Sequence, residues 1–317
     1  ALTKRDLFGM IRVMEELRKL TPEETGEFLD LALGSSLGKR QKGVAFESLL
    51  LDYFLEVLPE GLVFERFLAA DFDFKMIELR AFAWGEKDIA GMLEWFLPLA
   101  ADGHFEGRGL GADSPQTMLM EILMPRLSKV DPGRAFELLP YAHPDSLLKA
   151  AQPVLEAIVD LPGGREKVAG FIQAQEHEHE RYLLIKRLAT DKKSWSLDEV
   201  ANFAHGAGLE GRMLGFLLSD QAARPNRGSM PEKGDWLLKT LADQESGELA
   251  DAVATFLKKT YDVDSPESAA WVESLPAGVI RDSAKVQQVR VLASKKRGAQ
   301  ALAQAQTIIS ETLRNEA

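Results

Sequence analysis

An all-α fold built from many short amphipathic helices is predicted by three observations. Apolar residues recur at helical spacing along most of the chain. Helix-start signals recur between them with unusual regularity, and alternating strand-like runs are nearly missing. The arrangement that fits is an irregular array of roughly 16 to 19 short helices, each about three turns long. Two geometries satisfy it, a right-handed α-solenoid-like superhelix and a compact bundle.

The periodicity is carried by named sets. Leu7, Met10, Ile11, Met14 and Leu17 share a helical face, as do Phe72, Met76, Leu79 and Ala83. Leu249, Val253, Phe256 and Leu257 form another, and Leu302, Ala305 and Ile309 a fourth. The best strand candidate, Asp71-Phe72-Asp73-Phe74, is too short to stand against its helical surroundings.

Thr21-Pro22-Glu23-Glu24 shows the start signal in full. A hydroxyl at the N-cap accepts from free backbone N–H groups, proline at the first helical position wastes no donor, and the acid favours the positive end of the helix dipole. Ser114-Pro115, Asp131-Pro132 and Ser265-Pro266-Glu267 repeat the device, and Ser196-Leu197-Asp198-Glu199 is a capping box without proline. Leu58-Pro59-Glu60-Gly61, Leu161-Pro162-Gly163-Gly164 and Leu275-Pro276-Ala277-Gly278 read as stops.

A phrase of cap, helix, Leu-Pro-x-Gly and second helix recurs, most clearly from Ser265 to Ala284. That stretch resembles the degenerate helix-pair units of large bacterial envelope proteins of the planctomycete and verrucomicrobial group. Their general character is similar to tetratricopeptide and HEAT pairs. The resemblance implies stacked helix pairs and an extracytoplasmic location. Copies are irregularly spaced, with weaker echoes near Thr21–Val44, Asp131–Pro140 and Leu161–Phe171.

Residues 1–317 read as one helical domain, with a weak division into 1–112 and 113–317 at a glycine-rich segment. Two long loops are expected, ADGHFEGRGLGAD over 101–113 and ARPNRGSMPEKGD over 223–235. Loops of this length are often functional.

Composition narrows the function. With 38 basic against 49 acidic residues the net charge is -11, which disfavours a phosphate backbone as partner. Absence of cysteine removes disulfides, thiolate metal sites and a cysteine nucleophile. No apolar run approaches the ~18 residues of a membrane span, and the run from Phe96 to Ala101 is interrupted by Pro98. The chain opens on Ala1 rather than Met, which leaves room for a leader ahead of it.

No cofactor or metal is expected. Glu176-His177-Glu178-His179-Glu180 gathers metal-binding types, yet its histidines stand two apart and diverge on a helix, so it reads as a solvated charged turn. The segment Gly107-Arg108-Gly109-Leu110-Gly111 precedes a helix start but follows no strand and reads as a surface loop. His104 and Arg108 are its ligand candidates. Phe64, Phe67, Phe72, Phe74, Phe82, Trp84, Trp95 and Phe96 read as core, with Trp84, beside Gly85, the one expected to be partly exposed.

Arg281, Lys285, Arg290, Lys295, Lys296, Arg297 and Arg314 make the C-terminal stretch basic in an acidic chain. It either complements the acids Asp243, Glu245, Glu248, Asp251, Asp262 and Asp264 within the chain or docks an acidic partner through Arg290, Lys295, Lys296 and Arg297. The function expected is a protein- or peptide-binding scaffold. The alternative is an all-α glycan hydrolase or lyase with paired carboxylates in an aromatic-lined cleft.

Overall fold

The cap signals translate directly into helix starts. In the computed structural model, which describes residues 12–35, 50–70, 78–105, 114–142, 146–192, 194–225 and 228–317, Thr21 accepts from the Glu24 N–H and Glu24 reaches back to the Thr21 N–H, closing a capping box at the start of α1 (Pro22–Gly34). Ser114, Asp131, Ser196 and Ser265 each accept from a backbone N–H in the first turn of the helix they open. The elements among the described residues are all helices, with no strand. Asp71–Phe74 and Leu7 to Ile11 lie outside them.

The chain divides into two units, residues 1–154 and 155–317. In the first, α1 is followed by α2 (Leu51–Val57), α3 (Glu60–Ala69), α4 (Glu78–Lys87), α5 (Ile89–Ala101), α6 (Pro115–Val130) and α7 (Pro132–Glu137), then a 3-10 turn, Leu139–Tyr141. α8 (Leu147–Ile158) carries the division. In this unit α1 packs on α2 and α3, α3 on α2 and α5, α4 on α5 and α6, and α6 on α5 and α7. α5 runs helically through Pro98.

The second unit holds α9 (Gly164–Gln173), α10 (Glu178–Asp191), α11 (Leu197–Gly206), α12 (Gly211–Ala222), α13 (Met230–Thr240), α14 (Ser246–Thr260), α15 (Pro266–Ser274), α16 (Val279–Ser294), α17 (Gly298–Ala305) and α18 (Glu311–Glu316). Even-numbered helices form one row, α10 on α12 on α14 on α16 on α18, and odd-numbered helices face them. The even row carries the larger buried set, including Leu214, Leu217, Leu218, Val253, Phe256, Val286 and Val289.

One sequence expectation is corrected and one is refined. The loop over 223–235 ends early, because Ser229 and Glu232 close a capping box and α13 begins at Met230. In the phrases read as stops the leucine does the stopping, with Leu58 closing α2 and Leu275 closing α15, while Gly163 and Gly278 stand at the N-caps of α9 and α16 with φ of 71° and 108°. The glycine supplies the positive φ that the entry to the second helix needs.

Candidate interaction surface

The even row is joined by cations at its helix C-termini. Lys192 donates to the Glu156 carbonyl and pairs with Asp160, and Arg224 donates to the Ala189 carbonyl at 2.9 Å. Asp220 is shared by Lys186 (3.2 Å) and Lys259, and Arg297 pairs with Asp264. A cation at a helix C-terminus meets unsatisfied carbonyls and the negative end of the dipole. Burial pushes the Asp220 carboxyl up, but hydrogen bonds from Lys259 and Lys186 outweigh it and hold the group below its ordinary value.

The odd row is bridged once at each step, by side chains. Arg165 on α9 reaches Glu199 on α11 at 2.9 Å. Trp236 on α13 donates its indole N–H to Asp198 at 2.7 Å, Trp271 on α15 to Asp235 at 2.8 Å, and Gln304 on α17 to Glu273 at 3.3 Å. Trp271 is buried against Gly234, where a Cβ would fall 2.2 Å from its ring.

Between α9 and α11 lies an open groove of about 240 Å³ lined by Arg165, Glu166, Ala169, Glu199, Asn202, Phe203 and Gly206. Arg165 is fixed on one wall, its guanidinium 4.9 Å from the centroid of the buried Trp195 ring. Glu199 accepts from the Ser196 N–H and from Arg165, and these bonds, the Ser196 one first, hold its carboxyl below its ordinary value. Glu166 is exposed on the other side. Sequence reading missed this groove, since its walls come from two helices and its residue types are ordinary.

The basic C-terminal stretch is largely engaged inside the chain. Besides Arg297, Lys285 is buried with its ammonium 3.1 Å from Glu273, Arg281 donates to the Leu275 carbonyl, and Arg290 donates to the Glu316 carbonyl at 3.4 Å. Of the acids named from sequence, Asp264 takes Arg297 and Asp251 takes Arg212. Lys295 and Lys296 are exposed and make no ion pair among the described residues.

These two lysines close α16 in a turn of known type. The Arg297 N–H donates to the Leu292 carbonyl and the Lys296 N–H to that of Ala293, with Lys296 at φ 60°. This is the Schellman arrangement, in which the left-handed position usually falls to glycine. Gly103 after α5 and Gly208 after α11 occupy that position in sister turns.

His104 is exposed in the Gly103 turn, and Arg108 lies outside the described residues. Trp84 is not partly exposed, since only 6% of it reaches solvent. It stacks on Phe64 at 5.2 Å and meets Trp95 at 5.4 Å. The neighbouring Gly85 has its own close packing, with Ile122 of α6 standing 2.8 Å from where a Cβ would lie. Phe82, in the same helix, is the exposed aromatic, lying under the Arg126 guanidinium at 4.0 Å. Among the described residues no three His, Asp or Glu side chains gather in metal-binding geometry, and no helix is long and apolar enough to cross a membrane.

No family model matches this sequence, and comparison with curated proteins and with solved structures finds no match to either.

Proposed function

We propose that this chain is a protein-interaction scaffold whose stacked helices present an exposed surface to a protein or peptide partner. The observation that carries the reading is the continuous even row of the second unit, α10 on α12 on α14 on α16 on α18, with odd-numbered helices packed along it. Stacking of that kind grows a core in one direction while leaving a row of helices open to solvent. The resemblance of the Ser265–Ala284 phrase to bacterial helix-pair units supports the same reading. Exposed Lys295 and Lys296, held on a rigid turn, are a second point of attachment for an acidic partner.

The test is capture of cross-linked partners from a cell extract with the full chain as bait. Candidates are then reconstituted from purified components, and the contact is mapped by hydrogen exchange. The reading predicts a stoichiometric complex protecting odd-row helices or the α16–α17 turn. A variant with Lys295→Glu and Lys296→Glu separates the two. Absence of any reconstituted complex from folded bait overturns the reading.

A further inference from the structure

We infer that the groove between α9 and α11 is a receptor slot for a tryptophan side chain, flanked by a basic residue, on a partner segment. The inference rests on the interaction-scaffold reading and names the partner chemistry at one place on it.

The chain's own odd row supplies the pattern. At two consecutive steps an indole from one odd helix lies against the preceding odd helix and donates its N–H to a carboxylate there, Trp236 to Asp198 and Trp271 to Asp235. At the deeper of these, Gly234 provides the flat floor the ring needs. Counted from the N-cap serines Ser196, Ser229 and Ser265, the turn that carries Trp236 in α13 and Trp271 in α15 carries Asn202 and Phe203 in α11. No indole within α11 reaches back to α9: Trp195, just ahead of the Ser196 N-cap, takes the Arg165 guanidinium, and Arg165 and Glu199 bridge the step. What remains is the open groove.

Its lining supplies the same kinds of group, a small-residue floor and a carboxylate, although here one floor residue, Ala169, comes from α9 and the other, Gly206, from α11. Ala169 and Gly206 form a small-residue floor, with a Cβ built on Gly206 meeting nothing nearer than the Ala169 Cβ at 4.0 Å. Phe203 offers an apolar side, and Glu166 offers an exposed carboxylate. Charge complementarity decides the flanking residue. Glu166 and Glu199 face one guanidinium, Arg165, so the groove carries excess negative charge. The positive edge of an aromatic ring, an indole N–H and a neighbouring ammonium all suit such a site.

The probe is the peptide Ac-Ala-Lys-Trp-Ala-NH2 carrying 5-fluorotryptophan, followed by fluorine NMR against the full chain. A saturable shift is expected, weakened about tenfold or more by Gly206→Leu, which fills the floor, and severalfold by Glu166→Gln. Ala169→Leu is a second filling variant, and thermal melts establish that each is folded. The same peptide with Phe for Trp, or Glu for Lys, should bind less tightly. Three results would overturn the inference: no saturable binding at millimolar peptide, binding unchanged in both filled variants, or equal binding of the Glu peptide. A reconstituted partner whose footprint lies elsewhere, with no peptide binding, keeps the scaffold reading and removes the slot. Peptide binding without any protein partner does the reverse.

Discussion

Replacing Gly234 by alanine should destabilise the second unit, although the same change in an unobstructed helix stabilises. In a free helix interior Gly→Ala gains about 1 kcal/mol. Here the new methyl would lie 2.2 Å from Cζ2, 2.5 Å from Cε2 and 2.8 Å from Cη2 of Trp271, so the ring must retreat by roughly an ångström or more. Overpacking of that kind costs about 1–3 kcal/mol. A retreating ring also loses the bond from its N–H to Asp235 at 2.8 Å, a charged acceptor, for about 1.5 kcal/mol or more. The balance is a net loss of about 2 kcal/mol. Urea unfolding followed by circular dichroism and tryptophan fluorescence reads it. In a Trp271→Leu background the obstruction is gone, and Gly234→Ala should then stabilise by about 1 kcal/mol. Stabilisation in the parent chain, or the same effect in both backgrounds, would refute the packing derived for this step.

Lys296→Gly should raise stability by about 1 kcal/mol, since it removes a side chain from a left-handed position, while Lys296→Ala should not; thermal melts compare the two. Asp282, buried and accepting from the Ser310 N–H at 2.8 Å and the Ile309 N–H at 3.3 Å, anchors the entry to α18. Asp282→Ala should cost about 2–4 kcal/mol and speed hydrogen exchange across 298–317 before the rest of the unit. The lowered folded value of Asp220 gives stability that is present above the ordinary carboxylate range and is lost as pH falls through the folded value. Asp220→Asn should therefore flatten the fall in unfolding free energy below about pH 5. Gln221, fully buried with neither amide atom bonded among the described residues, should be replaceable by methionine with a gain of about 1–3 kcal/mol, read by urea unfolding.

Helix starts were legible because a cap is local: Thr21 and Glu24, or Ser196 and Glu199, lie within one turn and satisfy each other whatever surrounds them. The bridges between helices were not. They join residues 34, 38, 36 and 31 apart along the odd row, a spacing too uneven for any single period to reveal. Trp84 was misjudged for a related reason, since it is covered by Phe64 and Trp95 from two other helices. The α9–α11 groove is defined by what α11 lacks relative to α13 and α15, which becomes visible only once the helices are in register. The Met230 helix start was legible from Ser229 and Glu232, but the surrounding proline and glycine masked it.

In the second unit the bridges described join a helix to its nearest neighbours in the row, and none of them skips a step. A structure linked that way has no single keystone. Its cooperativity is that of a zip, with each step's opening cost set by its own bridge and shared packing. Heat should therefore open the 298–317 end first, where Ala301 and Ile308 complete a small cluster with Val286, Val289 and Leu292. Opening should then travel inward toward α14, so that the second unit melts over a broad range rather than at one temperature.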